Sequence, residues 1–252
     1  MCGFTRHKKS STIYFPLTAN PTGFHHLLLA ETVLQQLTEI KMIIFIISNG
    51  IHPDPLKNTR MPEANRRIEI LKSALNDWSS PKKSSIAKIA ENLGFELRLA
   101  ENNTAISLRE LTYNRPINLV EHLRAFHSVN KLNLILGADL LERMINPQIF
   151  SYEDLSEISR SCHLLLIPRN EINLEKNLKT LEKKRGININ FTLIKTDILP
   201  YDLQKYFLIS STLIRNATQA NHELTSFLPL TAVQQIKSYG LYKEQKHSLK
   251  TK

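Results

Sequence analysis

Residues 209–215 read Ile-Ser-Ser-Thr-Leu-Ile-Arg, a spacing suited to gripping an anion. Ser210, Ser211 or Thr212 can cap a helix, and the first amides of such a helix then point outward. A helix N-terminus carries roughly half a positive charge, and Arg215 adds a full one in a planar fork that matches phosphate. A second polar cluster lies near the start of the chain: Thr18-Ala19-Asn20-Pro21-Thr22-Gly23-Phe24-His25-His26. There His26 can donate to a phosphate oxygen. A third, Leu136-Gly137-Ala138-Asp139, follows an apolar run. Its glycine permits close backbone approach, and Asp139 can bind ribose hydroxyls or cap the next helix. Cys2 and Cys162 make no metal-binding or disulfide spacing, so no protein metal site is expected.

These residues must be carried by an α/β fold. Short apolar runs alternate with amphipathic segments of helix length, which predicts a doubly wound, mostly parallel sheet with a small C-terminal helical part. The expected strands are 12–15, 42–47, 95–99, 132–136, 163–167 and 189–194. Helices are expected over 24–38, 62–77, 116–126, 152–159 and 175–184. Two more follow in the tail, one entered through Ser-Ser-Thr and one near Pro229. Pro62 and Pro116 suit a first helical turn, where a missing amide costs nothing. The stretch 79–85 reads as a surface loop. A doubly wound sheet binds ligands beyond the carboxyl ends of its strands, and all three polar clusters sit after a strand or at a helix start.

At 252 residues the chain suits one generous domain, expected over 11–242, with basic tails at 1–10 and 243–252. The net charge of +10 favours anionic partners. Nucleic acid is not expected among them, since no aromatic-rich or helix-turn-helix signature is present. The most apolar run, Met42 to Ile47, is too short to span a membrane, and no apolar signal core follows the first basic residues. A reducing, cytoplasmic location is the expectation.

The string Ile209–Arg215 closely resembles the ISSTxIR motif of the nicotinate/nicotinamide mononucleotide adenylyltransferases. The first loop is similar to that family's G-x-F-D/N-P-x-H/T-x-G-H, followed by L-x-L-A-E. Without gaps, Asn20-Pro21 and His26 fall on motif positions, and Leu27-Leu28-Leu29-Ala30-Glu31 continues the match. The loop also departs from the pattern. Gly23 stands at the first histidine or threonine, His25 at the glycine, Ala19 at the aromatic and Pro16-Leu17 at the leading glycines. Gly137-Ala138-Asp139 resembles the family's G-A-D, and Ile167-Pro168-Arg169 its V-x-R. The segment Asn49 to Lys57 resembles its P-P-H-K loop. Glu63 to Leu71, with Arg67 on the motif arginine, resembles its A-x-x-R-L-x-M-L helix. Leu228-Pro229, Val233 and Tyr239-Gly240-Leu241-Tyr242 resemble its closing segment. The tryptophan that many bacterial members stack on the pyridine ring is missing. Ile149, Phe150 and Tyr152 occupy that neighbourhood, and the chain's only tryptophan is Trp78.

The resemblance implies a Rossmann-like nucleotidyltransferase that moves the adenylyl group of ATP onto nicotinate or nicotinamide mononucleotide, with Mg²⁺ entering together with ATP. It makes His26 and Arg215 catalytic. It places Thr18, Asn20, His26, Gly137, Asp139, Ser210, Ser211 and Arg215 around ATP, and Lys57, Arg67 and Arg169 near the mononucleotide. An oligomer is compatible with it. Two alternatives stay open: a nucleotide-binding homologue with impaired turnover, and a transferase for another phosphorylated acceptor. Whether His25 replaces the side chain lost at Gly23 is open as well.

Overall fold

Among the described residues, apolar runs rich in β-branched and aromatic side chains form the strands. They are β1 (Thr12–Leu17), β2 (Met42–Ser48), β3 (Ala105–Leu111), β4 (Leu132–Gly137), β5 (Cys162–Ile167) and β6 (Phe191–Leu193). They pair in parallel in the order β3-β2-β1-β4-β5-β6. The computed structural model describes residues 11–49, 61–100, 105–111, 116–126, 131–137, 139–168 and 174–243. The helices are α1 (Phe24–Gln36), α2 (Ala64–Asp77), α3 (Ser85–Asn92), α4 (Pro116–Phe126) and α5 (Asp139–Ile145). They continue with α6 (Tyr152–Ser161), α7 (Leu174–Arg185), α8 (Tyr201–Gln204), α9 (Ser211–Gln219) and α10 (Leu230–Ser238). No described helix is long and apolar enough to cross a membrane.

The strand order is that of a doubly wound nucleotide-binding sheet, and it reverses beside β1. β1 and β4, neighbours at that reversal, end at Leu17 and Gly137. Pro16 sits in a central strand, which its missing amide normally forbids. The ladder accommodates it: β1 pairs with β4 only through Ile13 and Tyr14, while Pro16 lies opposite Ile46 of β2.

The chain divides into two compact units. The first takes Met1–Leu17, Ala30–Gly50 and Glu101–Ile198, and the second takes Thr18–Leu29, Ile51–Ala100 and Leu199–Lys252. In the first, Tyr14, Ile44, Leu134 and Leu164 of the sheet pack with Val120, Leu141, Met144, Leu155, Ile158 and Leu181 of α4 to α7. Each such aliphatic side chain contributes about 1.5–3 kcal/mol by leaving water. α6 opens with a reciprocal cap, in which the Asp154 amide donates to Ser151 Oγ and the Ser151 amide to Asp154 Oδ2. The second unit is helical and draws on all three of its segments. There α10 packs on α2, and buried Asp77 at the end of α2 accepts the Thr231 amide at the start of α10, 2.9 Å away.

One expected strand is absent. Residues 95–99 form no strand, because α3 ends in a glycine-terminated cap. Gly94, at φ 61°, donates to Glu91, and the Phe95 amide reaches back to the Ala90 carbonyl. Phe95 is therefore the apolar residue that closes a helix end rather than the start of a strand. The edge strand is β3, whose sequence AISLREL is partly exposed and alternates in polarity, so no apolar run marks it. α3, α5 and α8 were not expected, being short.

Cys162 begins β5 fully buried, and burial pushes its thiol up to about 12. A raised folded-state value gives stability that is complete below the ordinary thiol range and lost as pH climbs toward the folded value. Urea unfolding is expected to show constant stability to about pH 8 and a loss of roughly 1 kcal/mol between about pH 9 and 10, before the phenols contribute. Cys162→Ala should flatten that interval, and an unchanged slope would acquit the thiol.

Candidate active site

The second unit joins the two ends of the sequence at one loop. Ser210 is the cap of α9, with extended backbone at φ −136° and ψ 156°, and its Oγ accepts the Leu213 amide at 3.1 Å. Ser211 Oγ donates to the Pro21 carbonyl at 2.9 Å, 190 residues away in sequence. Arg215, one turn further, donates through Nη1 to the Asn20 carbonyl at 2.6 Å and through Nη2 to Thr212 Oγ1 at 2.9 Å. Ile214, Ala217 and Thr218 form the buried face of α9, at the spacing that brings side chains onto one side of a helix.

Arg67 holds the same loop from α2. It is 1% exposed; its Nη1 donates to the Thr18 carbonyl and its Nε to the Pro62 carbonyl at 2.9 Å. The carbonyls of residues 18 and 20 are thus each held by an arginine, on either side of Ala19. Ala19 is buried at φ 51°, a left-handed conformation that costs a residue with a Cβ about 1–2 kcal/mol. The two guanidiniums offset that cost. Asn20 and Thr22 are also buried, and among the described residues neither Asn20 Oδ1 nor Thr22 Oγ1 has a hydrogen-bond partner.

The two histidines open α1. His26 is half-buried and its Nδ1 accepts the Gly23 amide at 3.3 Å. A neutral imidazole that accepts at Nδ1 carries its proton on Nε2, which makes Nε2 a donor. His25 is buried at 2% exposure, with its ring centroid 3.8 Å from that of His26.

The remaining expected residues lie as follows. Thr18 is half-buried and contributes its carbonyl to Arg67. In the first unit Gly137 closes β4 and Asp139 is the first residue of α5. Lys57 and Arg169 lie outside the described residues. Trp78 is buried against Phe24, 6.3 Å between centroids, and is a core residue of the second unit. Phe150 is likewise core, whereas Ile149 and Tyr152 are exposed. Two features had no local signal in the sequence: the carbonyl acceptors of Thr18, Asn20 and Pro21, and the burial of the Tyr242 side chain near the charges of Arg215 and Arg67. The Tyr242 phenol is buried and pushed well above its usual range by that burial, with the charges of Arg215 and Arg67 pulling the other way. Both features depend on contacts between distant segments.

No family model matches the chain. A curated relative from Clostridium botulinum (strain Eklund 17B / Type B), described as a probable nicotinate-nucleotide adenylyltransferase, is 26% identical over 231 residues. The match covers 90% of this chain and 96% of the relative. The similarity to that probable nicotinate-nucleotide adenylyltransferase thus extends over nearly the whole of both chains. Two solved structures of the Plasmodium falciparum nicotinic acid mononucleotide adenylyltransferase, complexed with NaAD and with APC, match with TM-scores of 0.63 and 0.62. Each match covers 92% of this chain and 96% of the other, at 15% and 16% identity, and shows that the chain shares their Rossmann-like fold. The adenylyltransferase-like segments at 18–26 and 209–215 are the ones that hydrogen-bond to each other. Chemically the pair offers an imidazole donor, a guanidinium, hydroxyls and two helix starts, a donor set for phosphate oxygens.

Proposed function

We propose that this chain transfers the adenylyl group of ATP to nicotinate or nicotinamide mononucleotide, giving the dinucleotide and pyrophosphate in NAD biosynthesis. The observation that carries the reading is the bonding of Arg215 and Ser211 to the carbonyls of Asn20 and Pro21. It ties the two phosphate-type motifs together by hydrogen bonds, and the homology to a probable nicotinate-nucleotide adenylyltransferase supports the acceptor. In this reaction a phosphate oxygen of the mononucleotide forms a bond to the α-phosphorus of ATP as the bond to the bridging oxygen breaks. Pyrophosphate leaves with that electron pair. No covalent enzyme intermediate is required, so the protein supplies positioning and charge neutralisation.

In this reading His26 donates from Nε2 to a phosphate oxygen, and Arg215 and the amides at the start of α9 neutralise developing charge on the leaving pyrophosphate. Ser210, Ser211, Thr18 and Asn20 shape the same grip, and Gly137 and Asp139 receive the nucleoside. Lys57 and Arg169 are assigned to the mononucleotide. The guanidinium of Arg67 is engaged by two backbone carbonyls, so its assignment moves from ligand contact to holding the loop. ATP is taken as its Mg²⁺ complex, in which the ion shields the phosphate oxygens. A cytoplasmic setting belongs to the same proposal and rests on the two cysteines, which make no disulfide-scaffold spacing.

The deciding experiment incubates purified chain with ATP, Mg²⁺ and each mononucleotide, and measures pyrophosphate and dinucleotide together. Equal yields of the two products are expected. ATP binding with no turnover on either acceptor would overturn the reading in favour of a nucleotide-binding homologue.

A further inference from the structure

The departures at Gly23 and His25 are coupled in space. A Cβ built on Gly23 would stand 2.9 Å from His25 Nδ1 and 3.1 Å from its Cε1, and 2.5 Å from Ile214 Cδ1. All three distances are too close for a side chain at 23 to sit beside those atoms unmoved. A side chain at 23 would therefore have to displace the His25 ring and the Ile214 methyl, which glycine leaves undisturbed. The loop has exchanged positions: the ring belongs to residue 25, and the glycine that makes room for it is residue 23.

His25 lies against His26, with centroids 3.8 Å apart and planes tilted by 40°. The exposed edge of the pair belongs to His26, since His25 is 2% exposed. The Gly23 amide approaches the same His26 ring from its Nδ1 edge at 3.3 Å. His26 is thus restrained on one face by a buried aromatic ring and on one edge by a backbone donor. Those are the two restraints needed to select one rotamer and one tautomer.

We propose that His25 is a positioning residue for His26, and that its ring, packed against that of His26 and admitted by Gly23, holds the His26 imidazole in the Nε2–H tautomer presented to phosphate. The phosphate rests on the adenylyl-transfer reading; the restraint on the ring is a property of the chain without substrate. A ring at 25 is the requirement, because the contact with His26 is made ring to ring. Phenylalanine is therefore expected to replace His25, and leucine, of similar bulk without that face, is not.

The test measures imidazole ¹⁵N shifts of the labelled full chain alongside pyrophosphate release for wild type, His25→Phe and His25→Leu. Wild type and His25→Phe are expected to show His26 protonated at Nε2, with kcat of the Phe variant within about threefold of wild type. His25→Leu is expected to show mixed tautomers and a kcat lowered by roughly 10- to 100-fold, as misplacement of a catalytic group does, with KM for ATP changed by less than about threefold. A single Nε2–H tautomer in His25→Leu overturns the proposal. So does a mixed tautomer in His25→Phe, whatever the fate of the Leu variant. The tautomer readout needs no substrate, so a wild-type chain that makes no dinucleotide would count against adenylyl transfer and leave the positioning of His26 to be decided by the spectra.

Discussion

His26→Ala is expected to lower kcat by roughly 10²- to 10³-fold, the usual consequence of deleting one preorganised donor to a developing charge. Of the expected catalytic pair, His26 is the group with a donor atom defined by its own hydrogen bond. With Nδ1 accepting from Gly23, the ring proton belongs on Nε2. Arg215, by contrast, already gives Nη1 to the Asn20 carbonyl and Nη2 to Thr212, so part of its work is structural. The fold should survive the loss of His26. The residue is half-buried at the start of α1, and the buried contacts there belong to Phe24, which packs on Trp78 and Tyr206, and to His25. The thermal midpoint is expected to move by no more than about 4 °C, equivalent to about 1 kcal/mol in a chain of this size. Steady-state pyrophosphate release and a melting curve on the same preparation check both halves. An unchanged rate would remove His26 from the mechanism.

The second large effect is on stability. Arg67→Ala is expected to destabilise the chain by about 3–5 kcal/mol, combining lost packing of a long buried side chain with two carbonyls deprived of their donor. An opposing effect must be weighed, since removing a buried cation also removes its desolvation cost. Alanine does not collect that benefit in full, because it leaves a cavity where the stem was. It also leaves the Thr18 carbonyl with no guanidinium beside Ala19, whose backbone is left-handed. The loop then relaxes and the site loosens with it. The midpoint should fall by roughly 10 °C and kcat/KM should fall too, even though Arg67 is not placed against substrate. Arg67→Met, which fills the volume but donates nothing, separates the terms. If Met restores both stability and activity, packing was the whole contribution and the loop-holding role of Arg67 fails.

Much of this architecture was legible in local pattern. β2 reads as an uninterrupted apolar run because a central parallel strand is covered on both faces. α4 begins at Pro116 and ends at Phe126, the limits expected from its amphipathic spacing and first-turn proline. β3 escaped because an edge strand need not be apolar, and the run at 95–99 misled because the residue closing a glycine cap is also apolar. The site was legible by residue type but less so by role. Arg215, Ser211 and Asn20 stood out as anion-binding residues, yet the hydrogen bonds that unite them link side chains on α9 to backbone carbonyls nearly two hundred residues away.

By itself the sequence determined the alternation of strands and helices, a hydroxyl-capped helix start at 210–212, a phosphate-type grip at each end of the chain, and the family that those motifs resemble. These follow from hydrophobic period, capping chemistry and spacing, all of which act over a few residues. Only the tertiary structure decided what each charged group does. It directed Arg67 to the carbonyls of Thr18 and Pro62, tied Arg215 and Ser211 to the first loop, and set Gly23 close against Ile214 and His25. The physical reason is that a buried donor must find an acceptor and a packed volume can be filled once. Which acceptor and which side chain do so is settled by segments that meet only when the chain folds.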